Sequence, residues 1–217
     1  MILLMPVIIL ASSLDNPANR EVQLRDGDLF RSQPSGSIAT PVKLTSCGCV
    51  GEYDVDGGQV AVIQARGDQS IALQLLDLAS RKVLVEIAAP FLIPESGQKE
   101  MRKFDGVVRK VLLDSANSVA YLLLVDGATA WTLLRVDLRD RATAWITSGL
   151  DMFLVRSGQY RSHLVVLLHK LKLSPGRFLA YFLIDNSGKE IGLIGTTEGE
   201  LEEFAQLYAT MPERRNE

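Results

Sequence analysis

The feature that most constrains the fold of this chain is a hairpin signature that occurs three times. In each copy an apolar run ends in an aspartate, a tight turn follows, and a basic residue stands four positions after the aspartate. The aspartates are Asp77, Asp137 and Asp185. An aspartate at the start of a turn accepts hydrogen bonds from backbone N–H groups about two residues on, which closes the reversal. The signature therefore predicts antiparallel strand pairs, and a weaker copy at Asp15 predicts another.

Apolar runs rich in Val, Leu, Ile and aromatic residues surround these hairpins and are separated by Gly, Asp, Asn and Ser, which is typical of strands and turns. The predicted strands are Gln59–Ala65, Ser70–Leu78, Lys82–Ala88, Val107–Leu113, Ser118–Val125, Ala130–Leu138, Ala142–Thr147, Ser162–Leu173, Arg177–Asp185 and Glu190–Gly195. We therefore predict an all-β fold in a single domain over residues 1–217, with quasi-repeats of antiparallel meander near 50–88, 107–147 and 153–195.

A unit of about four strands that recurs every 45–60 residues or so resembles a blade of a β-propeller. Many propellers join the outer two strands of each blade by a turn of this aspartate type. The resemblance implies a small or a partial propeller. A β-sandwich stays the alternative, because any antiparallel meander uses the same turn chemistry. The chain also has neither the Gly-His…Trp-Asp signature nor the double glycine of kelch repeats.

Two internal segments interrupt the repeats. Residues 25–50 are rich in Gly, Ser, Pro and Thr and are predicted to be loops with one or two short strands. Residues 88–106 form a long connection, interpreted as a solvated linker or as a functional loop. The connection carries Lys99, Arg102, Lys103 and Phe104.

The C-terminal part changes character to a helix. Thr197 and Glu200 form a capping-box pattern, and apolar residues follow at helical spacing. The pattern predicts an amphipathic helix over residues 198–210 whose apolar stripe packs on the sheet, with docking on a partner as the alternative. The stripe consists of Leu201, Phe204, Leu207 and Tyr208.

The N-terminus is apolar and has two interpretations. The first is a buried strand over Pro6–Ala11. The second is the remainder of a trimmed signal peptide, although no Lys or Arg precedes the apolar run. The run is too short to span a bilayer. The predicted compartment is therefore cytoplasmic, or periplasmic or secreted if the run is a signal.

The charge of the chain argues against nucleic acid as a ligand. The formal net charge is −3, and the acidic excess lies from Glu198 onward, where six glutamates face two arginines. The basic residues before that point are scattered at turns rather than gathered on one face with aromatic residues. We therefore expect no nucleic-acid partner and no phosphate site, since glycine-rich phosphate-binding signatures are also missing.

The residues that commonly carry chemistry are few. Cys47 and Cys49 are interpreted as two ordinary thiols in a turn, with a disulfide or an exposed redox pair as the alternatives. His163 and His169 would lie about 20 Å apart on one regular strand and could not share a metal ion. Three carboxylate pairs are interpreted as turn or solvated-helix residues: Asp26–Asp28, Asp54–Asp56 and Glu202–Glu203. The sequence thus assigns no catalytic, cofactor-binding or metal-ligating residue.

These observations favour a non-enzymatic protein-binding module, for example an inhibitor or an immunity protein that neutralises a toxin or an enzyme. The alternative from another class is a small hydrolase or lyase on one face of a propeller-like fold. In that alternative His163 or His169 would act as a base beside an aspartate. Another protein is the expected partner, and the sequence leaves the oligomeric state open.

Overall fold

The computed structural model describes residues 21–32, 41–65, 71–88, 91–94, 101–104, 106–125, 131–171 and 177–209. This part of the chain is mostly β-strand, in antiparallel sheets whose strands follow one another in chain order. The apolar run at Pro6–Ala11 and the hairpin at Asp15 lie outside these residues.

The described strands form four meander sheets and one two-stranded hairpin. Sheet I contains β1 (Val22–Arg25), β2 (Asp28–Arg31) and β3 (Val42–Lys43). Sheet II contains β4 (Val50–Asp56), β5 (Gln59–Ala65), β6 (Ile71–Asp77) and β7 (Val83–Ala88), after which β8 (Leu92–Pro94) and β9 (Met101–Lys103) pair as a hairpin. Sheet III contains β10 (Val107–Asp114), β11 (Val119–Val125), β12 (Trp131–Asp137) and β13 (Thr143–Gly149). Sheet IV contains β14 (Asp151–Leu154), β15 (Leu164–Leu171), β16 (Arg177–Ile184) and β17 (Glu190–Gly195).

The all-β prediction and its repeated four-strand units are confirmed. The bounds of β5 and β17 agree with the predicted strands, and the other predicted strands differ by at most two residues at either end. The first strands of sheets II and IV, β4 and β14, were not predicted. Residues 25–50 contain two complete short strands, β2 and β3, as predicted, and the connection at 88–106 contains the β8–β9 hairpin, which was not predicted.

The core lies between successive sheets, which stack in chain order like blades. One apolar cluster joins sheets I and II, a second joins II and III, and a third joins III and IV. Strand alternation produces this layering, because neighbouring side chains point to opposite faces. In β15, for example, Leu164 and Val166 pack towards sheet III while Val165 packs on the other side. The serial stacking of meanders is propeller-like, and among the strands that the structure describes no sheet closes on itself.

Asp77, Asp137 and Asp185, hereafter the turn aspartates, close the hairpins as the sequence predicts. Each carboxylate accepts hydrogen bonds from backbone N–H groups two to four residues on, from Ser80, Arg139, Ser187 and Lys189. These hydrogen bonds hold the pKa of each turn aspartate below its usual value near 3.8. The largest single cause is the Ser80 hydroxyl at Asp77, the Arg139 N–H at Asp137 and the Ser187 hydroxyl at Asp185.

The predicted C-terminal helix is present as α1 (Glu198–Phe204), continued by a π-helical turn over Ala205–Ala209. Thr197 and Glu200 form the expected capping box. Leu201 and Phe204 are buried against the face of sheet IV that points away from sheet III. Within the described ranges, none of the helical segments has the length and apolarity of a membrane span.

Candidate functional site

A groove of about 450 Å³ lies between the outer strand of sheet IV and the C-terminal helix. Among the described residues β17 pairs only with β16, so β17 is the edge of its sheet. The groove is therefore bounded by an edge strand on one side and a short helix on the other. Its lining consists of Tyr160, Leu183, Ile191, Gly192, Leu193, Ile194, Glu200, Glu203, Phe204, Leu207 and Tyr208.

Apolar side chains around the groove remain open to solvent. Leu207 is 44% exposed and Tyr208 38%, and Tyr160 and Ile194 are half-buried at the same site. Leu193 is 58% exposed but pairs with Phe182, so its side chain points to the sheet III face of sheet IV. Scattered apolar residues are normal on protein surfaces, whereas several that surround one concave site mark an interaction surface. The helix buries the first half of its apolar stripe and leaves the second half, Leu207 and Tyr208, facing the groove.

Three aromatic rings form one wall of the groove. The ring of Tyr160 stacks on Phe204 with centroids 5.9 Å apart and meets Tyr208 edge-on at 5.5 Å. Phe204 and Tyr208 are 5.3 Å apart, and His163 meets Tyr160 edge-on at 5.6 Å. Rings that pack on one another are held in place by their neighbours. They therefore offer preformed apolar area at low entropic cost.

The helix side of the groove is acidic. Residues 198–209 contain four glutamates and no Lys or Arg. Glu200 Oε2 accepts hydrogen bonds from the backbone N–H groups of Thr196 and Thr197 at 2.8 and 2.9 Å. These hydrogen bonds lower the pKa of the Glu200 carboxyl, and the one from the Thr196 N–H is the largest cause. Glu203 is exposed at the groove.

Gly192 leaves space at the centre of the β17 wall. A Cβ atom built at Gly192 would meet no other atom within 4 Å, and the backbone there is not in the left-handed region. Gly192 pairs with Leu183 of β16, which packs in the same cluster as the helix. Gly192 therefore faces the groove side of sheet IV, and a side chain at this position would occupy open space.

A second polar site lies where the first strands of sheets II, III and IV meet. Arg156, just after β14, is paired with Asp54 of β4 and donates to the carbonyl of Leu113 in β10. Its Nη1 also lies 3.4 Å from Asp56 Oδ1. Asp54 Oδ2 accepts the Leu113 N–H at 2.6 Å. Asp56 Oδ2 accepts the Ser115 N–H at 2.8 Å and its hydroxyl at 2.5 Å.

This Asp54–Arg156 cluster corrects the interpretation of the Asp54–Asp56 pair as turn carboxylates. Asp54 is 2% exposed, and both aspartates belong to β4, while the turn itself is Gly57–Gly58. The charges and donors of the cluster satisfy one another, and they connect three successive sheets. We therefore assign the cluster to holding the sheets together rather than to chemistry.

The interpretation of Asp26–Asp28 as turn carboxylates is also corrected for Asp28, which is only 7% exposed. Its carboxylate binds Lys43 Nζ at 2.7 Å and accepts the Gly48 N–H and the Thr45 hydroxyl, both at 3.0 Å. The Lys43 contact is the largest cause that lowers the pKa of Asp28. Glu202 and Glu203 do lie on the helix, as predicted, with Glu203 exposed.

The interpretation of the cysteines as two free thiols is wrong, because Cys47 and Cys49 form a disulfide. Gly48 between them has a φ of +60°, in the left-handed region that glycine tolerates. This reversal brings the two Cα atoms to 5.0 Å, within the range that a disulfide bridges. The bridged turn follows β3 and is anchored by the Gly48 contact to Asp28.

The structure places the two histidines in different surroundings. His163 Nδ1 lies 3.2 Å from the backbone carbonyl of Arg161, and the ring packs on Tyr160. His169 is exposed on β15. In the part of the chain that the structure describes, no group of three or more His, Cys, Asp or Glu residues could hold a metal ion.

Comparisons with known proteins give fold-level likeness only. No protein-family model matches the chain, and no curated protein matches its sequence. Among solved structures, dipeptidyl peptidase 4 from Porphyromonas gingivalis has a TM-score of 0.49 and 12% identity over 81% of this chain and 31% of that one. The β-propeller domain of the Trilobed protease from Pyrococcus furiosus has a TM-score of 0.46 and 11% identity over 77% and 48%. The apocarotenoid oxygenase from Synechocystis has a TM-score of 0.45 and 12% identity over 80% and 46%.

This chain therefore spans less than half the length of each of these structures. At identities of 11–12% they assign no activity to it.

The groove was missed by the sequence reasoning, although a signal was available. The strand Glu190–Gly195 contains two glycines among exposed apolar residues, and the helix stripe is longer than the part that packs on the sheet.

Proposed function

We propose that this chain is a protein-binding module and that the groove between β17 and α1 holds a segment of its partner. The observation that carries the proposal is that the groove leaves the second half of the helix stripe, Leu207 and Tyr208, exposed beside the half-buried Tyr160 and Ile194. Binding would bury these side chains against the partner, which is the main favourable term in protein association.

The edge strand supports the same proposal. Natural sheets protect exposed edges with charges, proline or a cover, because a bare edge pairs with other strands. The strand β17 has a glutamate at its start and otherwise only Ile, Leu and Gly. An extended segment laid beside β17 could therefore gain main-chain hydrogen bonds as well as apolar contact.

Charge argues that the partner is a different protein and not a second copy. Pairing two copies across this groove would bring two helices together, each with four glutamates and no basic residue. Like charges that face each other at an interface are unfavourable. A partner whose activity falls on binding would make this chain an inhibitor or an immunity protein, which is the narrower form of the proposal.

The proposal can be tested by site-specific crosslinking in the cells that normally produce the protein. A photoreactive benzoylphenylalanine replaces Leu207 at the groove in one variant and Leu84 in a control. Leu84 lies on β7, is 49% exposed and is not part of the groove. We expect one protein to be crosslinked from position 207 and not from position 84.

The crosslink from position 207 should also disappear when Gly192→Leu fills the groove. A crosslink that persists in the filled variant, or that forms equally from both positions, would contradict a partner held in the groove.

A further inference from the structure

We infer that the groove selects a cationic segment, in which apolar side chains flank at least one Lys or Arg. This inference rests on the proposed function and names the chemistry of the partner. Two independent observations lead to it, the charge of the helix and the arrangement of the aromatic rings.

The negative charge of the helix predicts the sign of the charge on the partner. Glu203 is exposed at the groove, and the helical segment carries four glutamates without a compensating cation in its own sequence. A basic segment is attracted to such a surface, whereas an acidic segment is repelled. An exposed carboxylate contributes little affinity by itself, so its effect lies mainly in selecting the partner.

The aromatic wall provides a site for the cation itself. Tyr160, Phe204 and Tyr208 are fixed by mutual packing and line the same groove as Glu203. An ammonium or guanidinium group is attracted to the face of an aromatic ring, and the attraction grows when the site is desolvated. A basic side chain with a long aliphatic stem also suits an apolar groove, because its stem packs while its charge reaches the rim.

The same protein already holds lysines in this way at two other places. Lys110 Nζ lies 4.2 Å from the ring centroid of Phe153 and 2.9 Å from Asp151 Oδ1. Lys43 Nζ lies 5.8 Å from the ring centroid of Phe30 and 2.7 Å from Asp28. In both cases one ring and one carboxylate share a cation supplied by the chain. The groove has the rings and the carboxylate, and we assign the cation to the partner.

The test uses a random peptide library of about twelve residues (about 40 Å when extended, longer than the groove wall). The library is selected on the intact chain, and binding of the recovered peptides is measured by fluorescence polarisation. Gly192→Leu blocks the groove, and Gly51→Leu is the matched control. Gly51 is an exposed strand glycine in β4, whose added Cβ would meet no atom closer than 4.0 Å.

Two further variants test the charge. Glu203→Lys reverses the charge at the groove, and Glu21→Lys makes the same change in net charge at an exposed position before β1. Leu207→Ser provides a second way to weaken the groove if Gly192→Leu does not fold, because Leu207 is 44% exposed and removing it leaves the core intact. Circular dichroism confirms the fold of each variant.

We expect the recovered peptides to be rich in Lys, Arg and apolar residues. Their affinity should fall about tenfold or more, which is about 1.4 kcal/mol, in Gly192→Leu, because the added side chain fills the groove, and stay unchanged in Gly51→Leu. Glu203→Lys should weaken the binding of these peptides about fivefold, and the effect should be larger at low salt than at high salt. Glu21→Lys should leave the binding unchanged.

Peptides that depend on Gly192 but carry no excess of Lys or Arg would overturn the cationic selection and leave the proposed function standing. Peptides that depend on Gly192 and are indifferent to Glu203→Lys would do the same. If no recovered peptide is weakened by Gly192→Leu or by Leu207→Ser, the groove is not a binding site, and the proposed function fails with the inference.

Discussion

The Asp54–Arg156 cluster predicts a large loss of stability on one substitution, Arg156→Met. Methionine keeps much of the length of the arginine and removes its charge and its donors. Asp54, with a side chain only 3% exposed, would then keep a buried carboxylate without its guanidinium partner. Removing one partner of a buried pair costs about 3–5 kcal/mol, because the remaining charge stays desolvated. That is about a fifth or more of the stability of a typical domain.

The measurement is equilibrium unfolding in urea at neutral pH, with thermal melting as a second readout. For a chain of this size 1 kcal/mol corresponds to about 2–4 °C, so the melting temperature should fall by roughly 6–20 °C. Arg31→Met is the matched control. Its partner Glu21 lies at 3.7 Å, the two side chains are 37% and 63% exposed, and Arg31 Nη1 also donates to the Leu78 carbonyl at 3.2 Å. Such an exposed pair contributes about 1 kcal/mol or less.

A double variant, Asp54→Asn with Arg156→Met, separates the burial of a charge from the loss of contacts. Asparagine leaves no charge to bury, so the double variant should be more stable than Arg156→Met alone. The reasoning would be refuted if Arg156→Met cost less than about 1 kcal/mol. It would also be refuted if the losses of the two single changes simply added in the double variant.

Two further predictions concern the turns. The pKa values of the turn aspartates are lowered in the folded state. Their stabilising effect is therefore complete above their usual pKa near 3.8 and is lost as the pH falls below it. Changing all three to Asn should flatten the acid limb of a curve of stability against pH. An unchanged acid limb would contradict this. Cys47 and Cys49 should resist thiol reagents until reduced, and replacing both by Ser should cost only about 1–2 kcal/mol, because a bridge across one residue constrains little unfolded chain. Free thiols in the purified, unreduced protein would contradict the bridge.

Local chemistry was the part of the fold that could be predicted from the sequence. The turn aspartates, the capping box at Thr197 and Glu200, and the alternating apolar runs all act over a few residues. Their hydrogen bonds and periodicity do not depend on distant contacts, so the hairpins and the C-terminal helix lie where predicted. The strand bounds are less accurate because fraying and pairing partners decide the last residue.

The strand β4 shows where this kind of reasoning fails. Its sequence, Val50–Asp56, includes a Gly, a Glu and two Asp, and by propensity it belongs in a turn. Asp54 is nevertheless buried within a strand, because Arg156 reaches it from a position 102 residues later in the chain. A partner that distant leaves no trace in a local window, and without it a buried aspartate is unfavourable.

The groove is a similar case. The helix stripe was visible in the sequence, but the amount of it that sheet IV covers depends on where the helix lies. Leu201 and Phe204 are buried, while Leu207 and Tyr208 remain about 40% exposed. The cysteines show the same limit at short range, because the left-handed Gly48 and its contact to Asp28 bring their Cα atoms together.

The sequence by itself determined that this protein is built from strand–turn–strand units closed by aspartates and ended by a capped helix. Those features depend on hydrogen bonds and periodicity within a few residues. The tertiary structure alone decided which carboxylates are buried, how the sheets are joined and which apolar side chains remain open to a partner. Burial is set by all the elements that surround a residue, and the chain brings those elements together from distant positions.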